Sequence, residues 1–335
     1  MSELFIIAEL GQTHDGSLAM AHAYIDALAS TGIDAIKFQV HIAEAESSMY
    51  EPFRVKFPGQ DKTRMDYWKR IAFDAEQWAE LKRHCESLKL DFIASPFSNA
   101  AVDLLESIDV KRYKIGSGEV SNVLLLEKIS KTAGEIILSS GMSSIAELDQ
   151  SIHYLLGKDV KLSLLQCTTA YPTTPGQWGL TTIDYFKKRF QIPVGFSDHS
   201  GDIYACLGAV ARGAELVEFH VVFDKRMPGP DTSSSITIDQ VKMLVKGSRE
   251  IAFDIRSPID KNDLSDFEDL RIIFGKSLAI NKDLPSGHRL TYNDLESKKP
   301  SGKGISAASY DQIIGRQLNR DFIQWEFLNE NDLIG

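Results

Sequence analysis

Two histidines, His199 and His220, end two successive β-branched runs, Pro193–Ser197 with its Asp-His extension and Leu216–His220. Neutral imidazole is a common metal ligand. Neighbouring strands of one sheet lie about 5 Å apart, close enough for two such rings to meet one ion. With water completing the shell, a two-imidazole site suits Mn2+, Mg2+ or Co2+ more loosely than zinc. Lys37 and Lys114 end two further runs. A lysine held among dry walls is costly unless it is paired, so each needs either an anionic ligand or a carboxylate of the chain. Ser95, Ser117, Ser139 and Ser197 stand at or beside run ends, where hydroxyl and backbone donors can hold an anion or merely shape a turn. Glu9 ends the first run, and Glu119 is a second carboxylate at a similar place. Glu9 either moves a proton and orients water or pairs with Lys37. Asp198 and Glu218 flank the histidines and are expected to orient the rings, with Asp198 alternatively capping the helix that follows.

These residues need a scaffold that brings every run end to one place. Eight strand-like runs occur at Leu4–Leu10, Ala35–Val40, Asp91–Ser95, Arg112–Ile115, Glu135–Ser139, Lys161–Gln166, Pro193–Ser197 and Leu216–His220. Amphipathic stretches alternate with them at Leu18–Thr31, Ala75–Leu88, Ala100–Ile108, Asn122–Lys131, Ser144–Leu156, Asp202–Arg212 and Thr237–Phe253. Eight strand-then-helix units predict an α/β fold of the (β/α)8 TIM-barrel kind, whose active sites lie at the C-terminal strand ends. An open doubly wound sheet is the structural rival. The barrel is expected over 1–255 and a charged connector over 256–275. A compact, loop-rich unit is expected over 276–335, carrying the basic run from Lys298 to Gly304. That run reads as a solvated loop or as a cation delivered to an anionic ligand.

The net charge of −10 argues against a nucleic-acid partner. No apolar run approaches the ~18 residues needed to cross a bilayer. The first residues lack the basic start and apolar stretch of a signal peptide. Cys85, Cys167 and Cys206 are odd in number and widely spaced, as in a reduced, cytoplasmic protein.

The run ends carry Ile7-Ala8-Glu9-Leu10-Gly11, His14-Asp15-Gly16, Lys37-Phe38-Gln39, Ser95-Pro96-Phe97, Tyr113-Lys114-Ile115-Gly116-Ser117 and Leu138-Ser139-Ser140-Gly141-Met142. Downstream come Cys167-Thr168-Thr169-Ala170-Tyr171-Pro172, Ser197-Asp198-His199 and Pro228-Gly229-Pro230-Asp231. In this order and over almost the whole chain they resemble the N-acetylneuraminate (sialic acid) synthase family, which includes the legionaminate and pseudaminate synthases. The resemblance implies condensation of phosphoenolpyruvate with N-acetylmannosamine or a 2,4-diacetamido-trideoxymannose, with a divalent metal and release of phosphate. It assigns metal ligation to His199 and His220, and phosphoenolpyruvate binding to Lys37, Ser95, Lys114, Ser117, Ser139 and Ser197. Glu9 is placed against the reacting carbons. Gln39, Thr169, Tyr171, Asp231 and Lys299 are implied as sugar contacts. It also implies an antifreeze-like (SAF) C-terminal domain that reaches the partner's barrel in a homodimer. Lys299 stands where the family commonly sends an arginine, and lysine lacks that planar, two-pronged contact. The Pro-Gly-Pro-Asp loop favours the sialate and legionaminate branches over pseudaminate. Rival readings are another phosphoenolpyruvate-dependent aldol synthase, such as 3-deoxy-octulosonate phosphate synthase, and a catalytically idle carbohydrate-binding scaffold.

Overall fold

The computed structural model describes residues 4–57 and 59–335. Eight parallel strands run in sequence order: β1 Phe5–Gly11, β2 Ala35–Val40, β3 Asp91–Pro96, β4 Arg112–Ile115, β5 Glu135–Ser139, β6 Lys161–Cys167, β7 Val194–Asp198 and β8 Leu216–Val222. β1 pairs with β8 as well as with β2, which closes the sheet into a barrel and removes the open-sheet rival. A short strand, β9 Ser235–Thr237, adds to β8. The strands lie within a residue or two of their expected places, except that β8 continues past His220 to Val222. The helix Leu180–Phe190 between β6 and β7 has no counterpart among the expected helices. The connection from β2 to β3 holds helices Ala43–Glu46 and Arg64–Ile71 ahead of the expected one at Ala75–Ser87.

The two-residue period of a strand makes the barrel. On β1, Ile6, Ala8 and Leu10 face outward into the large core shared with the helices. Ile7 faces inward with Ala35, Ile93, Ile137, Leu165 and Leu216, forming an apolar plug. Gly195 belongs to this layer, because a Cβ there would run into the Leu216 carbonyl and the Leu165 side chain. One step further along each strand the inward positions turn polar. Register places Glu9 beside Lys37 and His220, Cys167 beside Ser197, and Ser197 beside Glu218. The sequence therefore stacks a dry layer under a charged one, with the charged layer at the C-terminal strand ends.

The chain divides into two compact units, the first ending at Pro258 and the second covering Ile259–Gly335. The last barrel helix spans Ile238–Arg256. The second unit holds two antiparallel pairs, β10 Ser277–Ile280 with β11 Leu295–Lys298 and β12 Gln317–Leu318 with β13 Leu333–Ile334. They close on a core that includes Leu278, Ile280, Leu290, Ile313, Phe322 and Leu328. The helix Glu268–Phe274, inside the segment expected as a connector, is tied to this unit by Ser301 N donating to the Ile272 carbonyl (3.0 Å). Among the described residues, no helix is long and apolar enough to cross a membrane.

His14, just beyond β1, is 2 % exposed and packs its ring 4.7 Å from that of Phe73. Its Nδ1 accepts from Gly16 N (3.2 Å), which requires a lone pair there. Burial, aided by the charge of His41, lowers its pKa from 6.5 to about 4. The fold holds the neutral ring while the unfolded chain takes a proton near pH 6.5, so stability is full above that value and is lost as pH falls towards 4. We expect a loss of about 3 kcal/mol across this window from His14 alone. Urea midpoints measured from pH 7 to pH 4 should fall less steeply in His14→Asn than in the wild type. Identical slopes would remove His14 from the account.

Candidate active site

A cleft of about 370 Å³ opens at the C-terminal strand ends. Every barrel residue that the resemblance assigns to metal, phosphoenolpyruvate, sugar or the reacting carbons lines it: Glu9, Lys37, Gln39, Ser95, Lys114, Ser117, Ser139, Thr169, Tyr171, Ser197, His199, His220 and Asp231. Of the two expected ring-orienting carboxylates, Glu218 lines it and Asp198 does not. Glu119 lines it too, with burial raising its pKa. Lys299 belongs to the second unit, where its ammonium lies 4.7 Å from the centre of the Phe274 ring.

The floor is a buried set of charges. Lys37 Nζ lies 2.7 Å from Glu9 Oε2 and 3.0 Å from Glu218 Oε1, while Lys114 Nζ lies 3.1 Å from the same Glu218 oxygen. Ser197 Oγ donates to that oxygen as well (2.9 Å). Glu9 is held by Gln39 Nε2 (2.7 Å) and faces His220 Nε2 at 3.2 Å. Burial works against every charge here, and the neighbours decide the outcome. For Glu9, His220, Lys37 and Lys114 overcome burial and keep the carboxyl below its usual range. For Lys37, the two glutamates overcome burial and raise its pKa. For Lys114, burial and the charge of Lys37 outweigh Glu218 and Glu9, and its pKa falls below the ordinary lysine value. Lys114 has one carboxylate within reach where Lys37 has two, so an added anion has more to offer Lys114.

The rings are oriented by other groups than those expected. Glu218 faces the lysines and Ser197 rather than an imidazole. The Asp198 carboxylate accepts from Ser200 N (3.0 Å) and Ser200 Oγ (2.8 Å), shaping the turn after β7. Asp198 does not cap the next helix, which starts at Tyr204 after Ile203. Instead His199 Nδ1 lies 3.1 Å from the Thr168 carbonyl and His220 Nε2 faces Glu9. Each partner is an acceptor, so each of those nitrogens carries the hydrogen, and in the neutral ring the other nitrogen keeps a lone pair. The ring centres are 5.3 Å apart. Gly11 makes room for this at φ +53°, since a Cβ there would stand 3.3 Å from His220 Nδ1.

Several buried polar atoms of the cleft-lining residues have no partner: His220 Nδ1, Glu218 Oε2, Glu46 Oε2, Ser95 Oγ and Thr169 Oγ1. Such atoms are uncommon in folded proteins. Five of them on one cleft, which Lys114 also lines, mark a ligand site. A metal fits the two histidines by this test: one nitrogen of each ring is free, and each ring is steered by an acceptor on its far side, the usual arrangement behind metal-bound histidine. Among the described residues no group of three or more His, Cys, Asp or Glu side chains forms a metal cage, so water or substrate would complete the shell.

A NeuB family profile matches residues 24–257. The chain belongs to the NeuB family. It is 32 % identical to the N,N'-diacetyllegionaminic acid synthase of Campylobacter jejuni, over 98 % of this chain and 100 % of that one. It is 31 % identical to the human N-acetylneuraminate-9-phosphate synthase, over 94 % of this chain and 88 % of that one. In structure it resembles the N-acetylneuraminic acid synthetase of Leptospira borgpetersenii, solved with citrate, with a TM-score of 0.71 and 29 % identity. That match covers 80 % of this chain and 90 % of the other. As a member of this family of synthases the protein is an enzyme, which sets aside the idle scaffold.

The outer wall has almost no trace in the amino-acid sequence. Arg54, Arg64, Trp68, His41, Gln12, Glu46 and Glu51 all line the cleft, mostly from the connection between β2 and β3. Its only sequence signal is length, since the interval from Val40 to Asp91 far exceeds the few residues of an ordinary βα loop. Gln39, expected to touch sugar, spends its amide on the floor: its Nε2 holds Glu9 and its Oε1 accepts from Gln12 Nε2 (3.2 Å).

Proposed function

We propose that the enzyme is a nonulosonic acid synthase. It condenses phosphoenolpyruvate with an N-acetylated mannosamine-type sugar, N-acetylmannosamine or a 2,4-diacetamido-trideoxymannose, and releases phosphate. The observation that carries the reading is the set of unpartnered buried atoms on residues that line one cleft at the barrel mouth together with Lys37 and Lys114. A divalent ion, Mn2+ foremost with Mg2+ or Co2+ as substitutes, fits His199 and His220. Bound there it would polarise the sugar aldehyde and add positive charge to the cleft. Charge balance supports it, because Lys37 and Lys114 already face Glu9 and Glu218, so a phosphate and a carboxylate together need a further cation.

Lys114, with Lys37 behind it, draws the phosphate and carboxylate of phosphoenolpyruvate. The hydroxyls of Ser95, Ser117, Ser139 and Ser197 supply donors to the same groups. Thus held, carbon 3 forms the new bond to the aldehyde carbon, leaving positive character on carbon 2. Water then adds to carbon 2 and gives one proton to the former aldehyde oxygen. The bond from carbon 2 to the phosphate oxygen breaks as the new hydroxyl passes its proton to the departing phosphate and becomes the ketone. Glu9 stays ionised because its neighbours hold its pKa down, so its part is to orient that water and the His220 ring rather than to store a proton. Tyr171, Asp231 and Thr169 line the acceptor end.

The second unit is proposed as an antiparallel, SAF-type domain that completes the partner's barrel mouth in a homodimer, with Lys299 directed at the sugar. The enzyme is proposed to work in the cytoplasm. The decisive assay is phosphate release before and after chelation, followed by Mn2+ add-back. Activity should vanish on chelation and return with Mn2+. Full activity in the stripped protein rejects the metal. No phosphate release with N-acetylmannosamine, the 2,4-diacetamido-trideoxymannose, the pseudaminate precursor or arabinose 5-phosphate, with Mn2+ present, rejects the reaction. Turnover of the pseudaminate precursor or of arabinose 5-phosphate alone moves the enzyme to another branch.

A further inference from the structure

The wall around the acceptor end of the cleft comes largely from the β2–β3 connection. That connection has a small core of its own, Ala43, Tyr67, Trp68 and Ile71 with Phe53, Phe57 and Met65 packed against it. Its side chains are therefore held in place. Arg54 Nη2 donates to Asp231 Oδ1 (2.5 Å) and to the Pro230 carbonyl (3.1 Å). The guanidinium carbon sits 3.7 Å from the centre of the Tyr171 ring. Tyr171 in turn lies 4.2 Å, centre to centre, from the His199 ring. Guanidinium, phenol and imidazole thus form a column from the outer cleft to the reacting end.

One amino group of Arg54 is consumed by this arrangement. Its Nε and Nη1 have no hydrogen-bond partner among the described residues, and its side chain is 40 % exposed while lining the cleft. A guanidinium laid on an aromatic face keeps its edge donors for a ligand. Charge decides which ligand. The cations of the outer cleft are Arg54 and Arg64, and each faces a carboxylate, Asp231 at 2.5 Å and Glu51 at 3.4 Å. Glu46, engaged by His41 Nδ1 (2.6 Å), and Glu119 line the same cleft. The guanidiniums are neutralised and carboxylate remains, so an added phosphate ester meets net repulsion where a neutral oxygen meets free N–H donors.

We propose that Arg54 is the acceptor-specificity residue. With Tyr171 and Asp231 it binds an uncharged amino sugar, and the surrounding carboxylates reject one that carries a phosphate ester. This rests on the proposed reaction, and one experiment separates the two. Phosphate release is followed against acceptor concentration with phosphoenolpyruvate and Mn2+ saturating. The acceptors are N-acetylmannosamine, its 6-phosphate and 2,4-diacetamido-2,4,6-trideoxymannose.

In the wild type, kcat/KM for at least one uncharged sugar should exceed that for the phosphate ester by about 100-fold or more. Arg54→Ala and Arg54→Lys should each raise the acceptor KM by about tenfold or more, while the phosphoenolpyruvate KM stays within about twofold. The double change Glu51→Gln with Glu119→Gln should narrow the preference by about tenfold, because it leaves Arg64 without its carboxylate. Arg54 is half-exposed, and matching thermal unfolding of variant and wild type confirms that the fold is kept. A preference for the phosphate ester overturns the proposal. So does an Arg54→Ala enzyme with an unchanged acceptor KM, or one in which both KM values rise together. A wild type that releases phosphate with none of the three overturns the proposed reaction and this inference with it.

Discussion

Replacing His199 and His220 together by alanine is expected to lower phosphate release by about 1,000-fold or more while the barrel stays folded. The loss corresponds to several kcal/mol of transition-state stabilisation, the scale on which a metal centre contributes. The fold should survive because the buried charge that faces His220 keeps other partners. Glu9, which faces His220, retains Lys37 at 2.7 Å and Gln39 at 2.7 Å. His199 leaves behind the Thr168 carbonyl, the Cys167 thiol and one face of Tyr171, none of which carries a charge that the ring alone balances, and Arg54 still packs on the Tyr171 ring. The stability cost should stay near about 1–3 kcal/mol, as for other core truncations without an orphaned charge. Three readouts belong together: phosphate release, metal content after dialysis against Mn2+, and the urea midpoint. A double variant that keeps both its metal and its activity would remove the two histidines from the mechanism.

Lys37→Met should be the most damaging single change to stability. Lys37 is 3 % exposed and stands between two carboxylates that are as buried as it is. Methionine matches its stem but leaves Glu9 and Glu218 to share Lys114 and His220. Removing one member of a buried ion cluster typically costs about 3–5 kcal/mol, because an uncompensated charge remains. Adding Glu218→Gln should recover part of that loss, since it removes the stranded carboxylate. The double variant also separates two roles. If Lys37 serves only to neutralise glutamates, the double variant recovers activity along with stability. If Lys37 draws the anion, the double variant is stable and still at least about 100-fold down in phosphate release. Urea unfolding of Lys37→Met within about 1 kcal/mol of the wild type would show that the cluster does not carry buried charge in solution.

Much of this site is legible in the amino-acid sequence. Polar residues at the ends of eight β-branched runs imply one mouth, because parallel strands in a closed barrel end on the same side. That placement singles out Glu9, Lys37, Lys114, His199 and His220, and all five line the cleft. The helix Leu180–Phe190 is not legible, because a Leu-Thr-Thr-Ile start, rich in β-branched residues, hides its periodicity. Partner choice is not legible either. Glu218 stands two residues before His220, which suggests that it serves the ring. Strand alternation sends both inward, but register sets Glu218 beside Ser197, one layer below the ring, where Lys37 and Lys114 reach it. The role of orienting His220 passes to Glu9, its register partner on the neighbouring strand.

The layers of the barrel and the chemical inventory of its mouth are written in the chain locally, since both follow from a two-residue period repeated eight times. Which charge neutralises which is set by contacts across the fold, and the same contacts bring Arg54, Arg64 and Trp68 to the acceptor end. Pairing in the floor depends on strand register around a closed ring. The outer wall depends on how one long connection packs on its own small core. Neither is a local property of the chain, because both are set by contacts between residues far apart in sequence, such as Arg54 with Asp231 and Lys37 with Glu218.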